Sequence, residues 1–209
     1  MPKVVEHDRR RAEIADAALA LVARAGTRAA TIRAVAEETG WSAGALNHYY
    51  ASRQELLVGA LRRAAELQGE IFQEIERRGA SNAMDRLRGL IESVLPLDDR
   101  RLALTRVFLV FYAEATADPH THAEVVEYLR NWRRVIRRAV GEAQREGAIP
   151  ASLDATRLAA ELVAVADGLA IHGMLDPSVL EPVAAGERMT LTFIEDSWLL
   201  SVAGTTFSS

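Results

Sequence analysis

The sequence predicts an all-α protein of nine helices, and three observations carry that expectation. Apolar residues recur at the 3.6-residue spacing of helices with one buried face, never at the two-residue spacing of strands. The six prolines stand only at positions 2, 96, 119, 150, 177 and 182, which leaves long uninterrupted intervals between them. Capping residues punctuate those intervals where one apolar stripe ends and the next begins. No segment repeats at a fixed period of about 20–50 residues, so a solenoid is excluded. With 209 residues, 49% of them hydrophobic, the chain is long enough to bury a real core.

The elements follow in order. Ile14, Ala18, Leu21, Val22 and Ala25 share one helical face, with Asp8 as the expected N-cap and Gly26 as the stop. Thr31 opens a short second helix through Ile32, Val35 and Ala36 that Gly40 ends. Ser42 caps a third helix of about two turns closing at Tyr49 and Tyr50. Ser52, with Glu55 three residues on, forms a capping box for a long fourth helix to about Arg78. Five more helices are expected beyond Gly79. They are bounded by Ser81 and Asn82, by Asp98 and Asp99, by Asp118 and Pro119, by Ser152 to Asp154, and by Pro182 to Gly186. Proline after Asp118 suits the first helical position, where its missing N–H costs nothing. The final stretch 203–209 is small and polar and is expected to fray.

Composition excludes several classes. No uncharged run reaches the ~18–20 apolar residues of a membrane span, so no membrane association is expected. No apolar stretch with a small-residue cleavage site follows the N-terminus, so no secretory signal is expected. The chain has no cysteine, hence no disulfide framework and no thiolate site, and the default location is the cytoplasm. The net charge of −4 is unevenly placed: residues 1–65 carry +3 and residues 66–209 carry −7. That split suggests a small anion-binding module on an acidic body.

The informative stretch is 31–56, TIRAVAEETGWSAGALNHYYASRQEL. Two short helices joined by a glycine-containing turn have helix-turn-helix spacing, whose second helix lies in a DNA major groove. Ala36 permits close crossing, Gly40 supplies the turn, and Val35 and Leu46 share a core. The second helix carries no acidic, Lys or Arg residue, and presents Ser42, Ala43, Gly44, Ala45, Asn47 and His48, small or hydrogen-bonding groups suited to base edges. Thr31, Arg33, Tyr49 and Arg53 are the expected phosphate contacts. Tyr50 reads as core. Residues 1–55 are therefore expected to bind DNA and 56–209 to form a separate body.

These residues resemble the TetR (tetracycline-repressor-like) family of bacterial regulators. The resemblance rests on Thr31, Val35, Ala36, Gly40, Ser42, Gly44, Leu46, Tyr49 and the Ser52-Arg53-x-Glu55-Leu56 close. Asn47 departs from a frequent tyrosine, Tyr50 from phenylalanine, Arg53 from lysine, and Trp41 from a small aliphatic residue. Asn47 matters most, because an amide reads adenine and the half-site preference does not carry over. From residue 80 the chain is similar to the family's ligand-binding and dimerisation region. The stretch 101–138 resembles its betaine-regulator-like branch, through Arg106 to Ala115, Asp118-Pro119, and Tyr128 to Arg133. The resemblance implies a ligand-controlled repressor; no cofactor is expected.

Phe108, Phe111, Tyr112 and Trp132, with Phe72, Met84 and Leu87 facing them, are candidates for an apolar effector pocket. Glu114, Asp167 and His172 are its polar candidates, and an inward carboxylate among aromatics suits an organic cation. Leu158, Leu162, Val165, Ala166, Leu169 and Gly173 form one further apolar stripe, and Leu191, Ile194 and Trp198 lie on a second that continues to Leu199. Together these predict a four-helix homodimer interface that spaces two recognition helices about 34–36 Å apart on palindromic operator DNA. His120 and His122 with Asp118 and Glu124 could hold a metal, but they sit at a helix start rich in caps. No nucleophile elbow, P-loop, dinucleotide fingerprint or H-E-x-x-H occurs, so no enzyme is expected. An architectural DNA binder without an effector is the alternative.

Overall fold

Local sequence decides each helix in the computed structural model, which describes residues 2–184. Nine α-helices occur among them: α1 (Pro2–Ala25), α2 (Ile32–Thr39), α3 (Ala43–Asn47), α4 (Arg53–Arg78), α5 (Ala83–Glu92), α6 (Asp99–Ala115), α7 (Pro119–Arg145), α8 (Ala155–Leu175) and α9 (Glu181–Ala184). Short 3-10 turns lie at Thr27–Ala29 and Pro177–Leu180. The expected caps are in place. The side chains of Thr31, Ser42, Asn82 and Asp154 each accept a backbone N–H in the first turn of their helix.

Two expectations are corrected. Asp8 is no N-cap: α1 begins at Pro2, and Glu6 pairs with Arg9 at 2.9 Å and Arg10 at 2.7 Å, supporting the early turns. The third helix stops at Asn47, and Tyr49 and Tyr50 follow in a turn. By length and composition α8 is apolar enough to cross a membrane, at a mean hydropathy of 1.6, but Glu161 and Asp167 interrupt it and Leu162, Val163 and Ala166 are buried within the second unit. The expected last helix, with Leu191, Ile194 and Trp198, lies outside the described residues.

The described chain forms two compact units. The first comprises residues 1–73 and 102–131, and the second 74–101 and those from 132 onward. The first unit buries Ile14, Ala18 and Val22 of α1, Val35 of α2, Leu46 of α3 and Leu56, Leu57 and Leu61 of α4 in one cluster. Val107, Phe108 and Phe111 of α6 and Val125 and Tyr128 of α7 complete it. The core around α2 and α3 is thus built partly by helices far along the chain. In the second unit α5 packs on α8, with Leu87, Leu90 and Ile91 of the one and Leu162, Val163 and Ala166 of the other buried.

Candidate nucleic-acid interface

Helices α2 and α3 owe their angle to four residues. Thr31 Oγ1 accepts from the Ala34 amide at 3.1 Å and Ser42 Oγ from the Ala45 amide at 3.1 Å, so both helices start where a hydroxyl satisfies an otherwise orphaned donor. Gly40 ends α2 at φ 72°, ψ 15°, a left-handed conformation that any Cβ would strain. Leu46 is fully buried, which fixes the outward direction of the rest of α3.

That direction presents Ser42, Ala43, Gly44, Asn47 and His48 to solvent, with Ala45 and Tyr49 half-buried. The exposed face carries no carboxylate and little bulk, so a base edge can approach closely. Around it the expected phosphate contacts are arranged unequally. Arg33 is 88% exposed and held at 3.0 Å by Glu37, an exposed pair that a phosphate can displace. Arg53 is half-buried and donates to the Thr27 carbonyl at 2.5 Å, which makes it a tie within the protein as the structure stands. Tyr50 is core, as its sequence context suggested.

Several residues that sequence reasoning passed over hold α3 in place. Arg11 donates to the Tyr49 carbonyl at 2.8 Å, pairs with Glu55 at 2.9 Å and lies 4.5 Å above the Tyr50 ring. The Tyr50 hydroxyl donates to the Arg11 carbonyl at 3.1 Å, and burial raises its pKa. Glu55 also accepts from the Ala51 amide at 2.9 Å; that bond, followed by Arg11, holds its carboxyl below the usual range. No local spacing signalled Arg11, since it meets Glu55 from across the fold.

The end of α6 and the start of α7 grip the same region. Thr27 donates to Glu114 at 3.1 Å, Gln54 donates to Asp118 at 2.5 Å and to Thr121 at 2.9 Å, and Arg62 pairs with Glu124 at 2.5 Å. Asp118 also accepts from the Thr121 amide, which, ahead of other causes, lowers its pKa. Asp118 and Glu124 are thereby engaged, His120 and His122 are exposed, and among the described residues no three ligating groups converge on a metal position.

The stretch that holds α2, α3 and the start of α4 matches known proteins. Residues 14–60 match the family model described as bacterial regulatory proteins, tetR family. Residues 83–198, more than half of the chain, match that of BetI-type transcriptional repressor, C-terminal. The chain belongs to the TetR family.

It is similar to the HTH-type transcriptional regulator PksA of Bacillus subtilis, 30% identical over 85% of this chain and 84% of the relative. BetI of Rhizobium meliloti is 29% identical over 92% and 90%. A regulator from Saccharomonospora viridis, solved in complex with choline, superposes with a TM-score of 0.76 at 25% identity, over 90% of this chain and 96% of that one. The relatives are named as transcriptional regulators, so this TetR-family chain is a DNA-binding transcriptional regulator of all-α architecture.

The other nominated residues divide between the units. Phe72, Phe108, Phe111, Tyr112 and Glu114 lie in the first, and Met84, Leu87, Trp132, Asp167 and His172 in the second. Phe108 stacks on Tyr128 at 4.2 Å, so those two rings face each other, with Tyr112 centred 6.5 Å from Phe108. Glu114 is engaged by Thr27, as described, and His172 is exposed instead of lying in the core. On α8, Leu162, Ala166 and Gly173 are buried within the second unit, while Leu158, Val165 and Leu169 are half-buried. The outward side instead carries Ala160, Ala164 and Leu175, with Gly168 and Ile171 beside them.

Proposed function

We propose that this regulator is a cytoplasmic repressor that binds a palindromic operator as a homodimer and is released by a small organic effector. The observation that carries the reading is the exposed, charge-free face of α3, held between two caps and a buried Leu46. Asn47 and His48 read base edges there; Thr31, Arg33 and Tyr49 contact phosphates; and Arg53 joins them if DNA draws it from Thr27. Function divides at about residue 55: residues 1–55 read DNA, and 56–209 bind effector and pair the subunits.

The outward side of α8 supports the pairing. Its apolar and small residues, Ala164, Gly168, Ile171 and Leu175, allow a second copy to approach closely, and Leu175 is 76% exposed. Leu191, Ile194 and Trp198 belong to the same interface in this reading. The effector is an organic cation held by aromatic rings among Phe108, Phe111 and Tyr112 of the first unit, a class consistent with the BetI-type match and with the choline-bound relative. Glu114 then acts at the joint with Thr27, where movement of α6 reaches the reader. A coupling of about 1–3 kcal/mol changes operator affinity about 5–150-fold. The reading assigns no catalytic activity, metal or cofactor.

Selection of genomic fragments by the purified protein tests this. The expected result is a palindrome bound with a steep salt dependence and released by quaternary ammonium compounds. Sequence-indifferent binding overturns it in favour of an architectural DNA binder, and no binding in either the absence or the presence of candidate effectors removes it.

A further inference from the structure

The early turns of α1 precede the stretch that matches the family's DNA-binding model, which begins at residue 14. They are nevertheless packed against the recognition element. The His7 ring lies 4.8 Å from the Tyr49 ring, tilted by 34°. The Arg10 guanidinium lies 5.4 Å from the centre of the Trp41 ring, and Trp41 meets Tyr49 edge-on at 5.8 Å. Trp41 is the residue that departs most in bulk from the small aliphatic usual at this turn. A small aliphatic side chain has no π face to hold a cation, so Trp41 and Arg10 form a pair that the common pattern lacks. Arg11, one residue on, secures the same helix to the Tyr49 carbonyl.

The stack leaves charge at the surface beside Tyr49. The side chains of Arg9 and Arg10 are 69% and 43% exposed, and in the free protein both are held by Glu6. A carboxylate bridging two arginines next to a phosphate-contacting tyrosine is a natural stand-in for a phosphate: the same guanidinium donors fit either anion. A polyanion with closely spaced charges can displace one exposed carboxylate, because exposed pairs are weak.

Resting on the operator-binding reading above, we propose that residues 6–11 form a second DNA-contacting element beside the recognition helix, in which Arg9 and Arg10 take the backbone phosphates flanking each half-site and Trp41 is the platform that positions Arg10. Glu6 acts against DNA binding. It holds the arginines while DNA is absent and is displaced when phosphates arrive.

The experiment titrates the operator selected by the wild-type protein with wild type, Arg10→Ala, Arg10→Lys, Trp41→Val and Glu6→Gln over a range of salt. Loss of one phosphate contact per subunit lowers the slope of log affinity against log salt by about 0.9, hence about 1.8 for a dimer. Arg10→Ala is expected to show that drop, Arg10→Lys to keep the slope while losing affinity, and Trp41→Val to lie between wild type and Arg10→Ala. Glu6→Gln is expected to bind several-fold more tightly than wild type. An unchanged slope in Arg10→Ala, whatever its affinity, overturns the inference, since a merely structural role would move affinity alone. If Arg10→Ala fails to fold, Glu6→Gln decides: equal or weaker binding overturns the proposal. Failure of the wild type to select any operator instead removes the functional reading on which it rests.

Discussion

Replacing Gly59 by alanine tests how tightly α4 is fitted to the turn that follows the recognition helix. A Cβ on Gly59 would lie 2.5 Å from Tyr50 Cε1, 2.8 Å from its hydroxyl and 2.9 Å from Cζ. The ring has little room to retreat: Tyr50 is 2% exposed, its hydroxyl is bonded to the Arg11 carbonyl and the Arg11 guanidinium lies over its face. Helix propensity alone favours alanine by about 1 kcal/mol. Against that, forcing a methyl group into a filled core costs about 1–3 kcal/mol. Losing the hydroxyl bond costs about 1 kcal/mol, and disturbing the cation over the ring about 0.5–1 kcal/mol. The expected net effect is a destabilisation of about 2 kcal/mol, or a Tm lowered by about 4–8 °C in a chain of this size. Thermal unfolding followed by circular dichroism measures it. In a Tyr50→Leu background the same substitution should become neutral or stabilising, giving a coupling of about 2 kcal/mol. A Gly59→Ala protein that melts at or above the wild-type temperature would refute the reasoning, because propensity would then have outweighed the clash.

Asn47→Ala should weaken operator binding by about 1–3 kcal/mol and relax preference at one base position without changing the salt slope, as competition with mutated operators would reveal. Thr27→Val removes the donor to Glu114 and leaves the carboxylate half-buried, so it should lower stability by about 1 kcal/mol in chemical denaturation. Glu55 has a folded-state pKa below its ordinary value of 4.5, so its contribution is fully present above that pH and is lost as pH falls through the lower folded value. Melting temperature should therefore decline more steeply below about pH 4.5 in wild type than in Glu55→Gln. Ala164→Glu with Leu175→Glu on α8 should shift the sedimentation coefficient from dimer to monomer, and a dimer unaffected by both would reject that face.

The helices and the recognition element were legible in the sequence because their signals are local. Thr31, Gly40 and Ser42 each act within four residues, and capping oxygen and left-handed glycine leave a direct mark in the order of residues. Periodicity likewise marked Val35 and Leu46 as core. What the sequence concealed is what depends on meetings across the fold. Arg53 looked like a phosphate ligand by position, yet the Thr27 carbonyl lies within its reach. Glu114 looked like a pocket carboxylate beside aromatics, and it faces the Thr27 hydroxyl. On α8 the sequence did not show that Leu162, Ala166 and Gly173 would be covered within the second unit, nor that Ala160, Ala164 and Leu175, nearly half a turn away, would face outward, because an apolar helix with small residues on every side does not announce which face is covered. Trp41 was visible as an unusual residue, but its cationic partner is thirty-one positions away.

The first unit is assembled from two separate lengths of chain, 1–73 and 102–131. During synthesis the ribosome delivers the reader's own helices first, and Val107, Phe108, Phe111, Val125 and Tyr128 follow only after an intervening segment. At about 5–20 residues per second, the apolar surface of α1 and α4 waits several seconds for the residues that close it. The newborn reader is therefore incomplete before it is functional. A nascent chain arrested before residue 102 should display that surface to chaperones, and one extended well past residue 131 should not. A graft that transplants only residues 1–55 onto another regulator would carry the same exposed surface permanently, so a transferable reading head has to include the 102–131 segment.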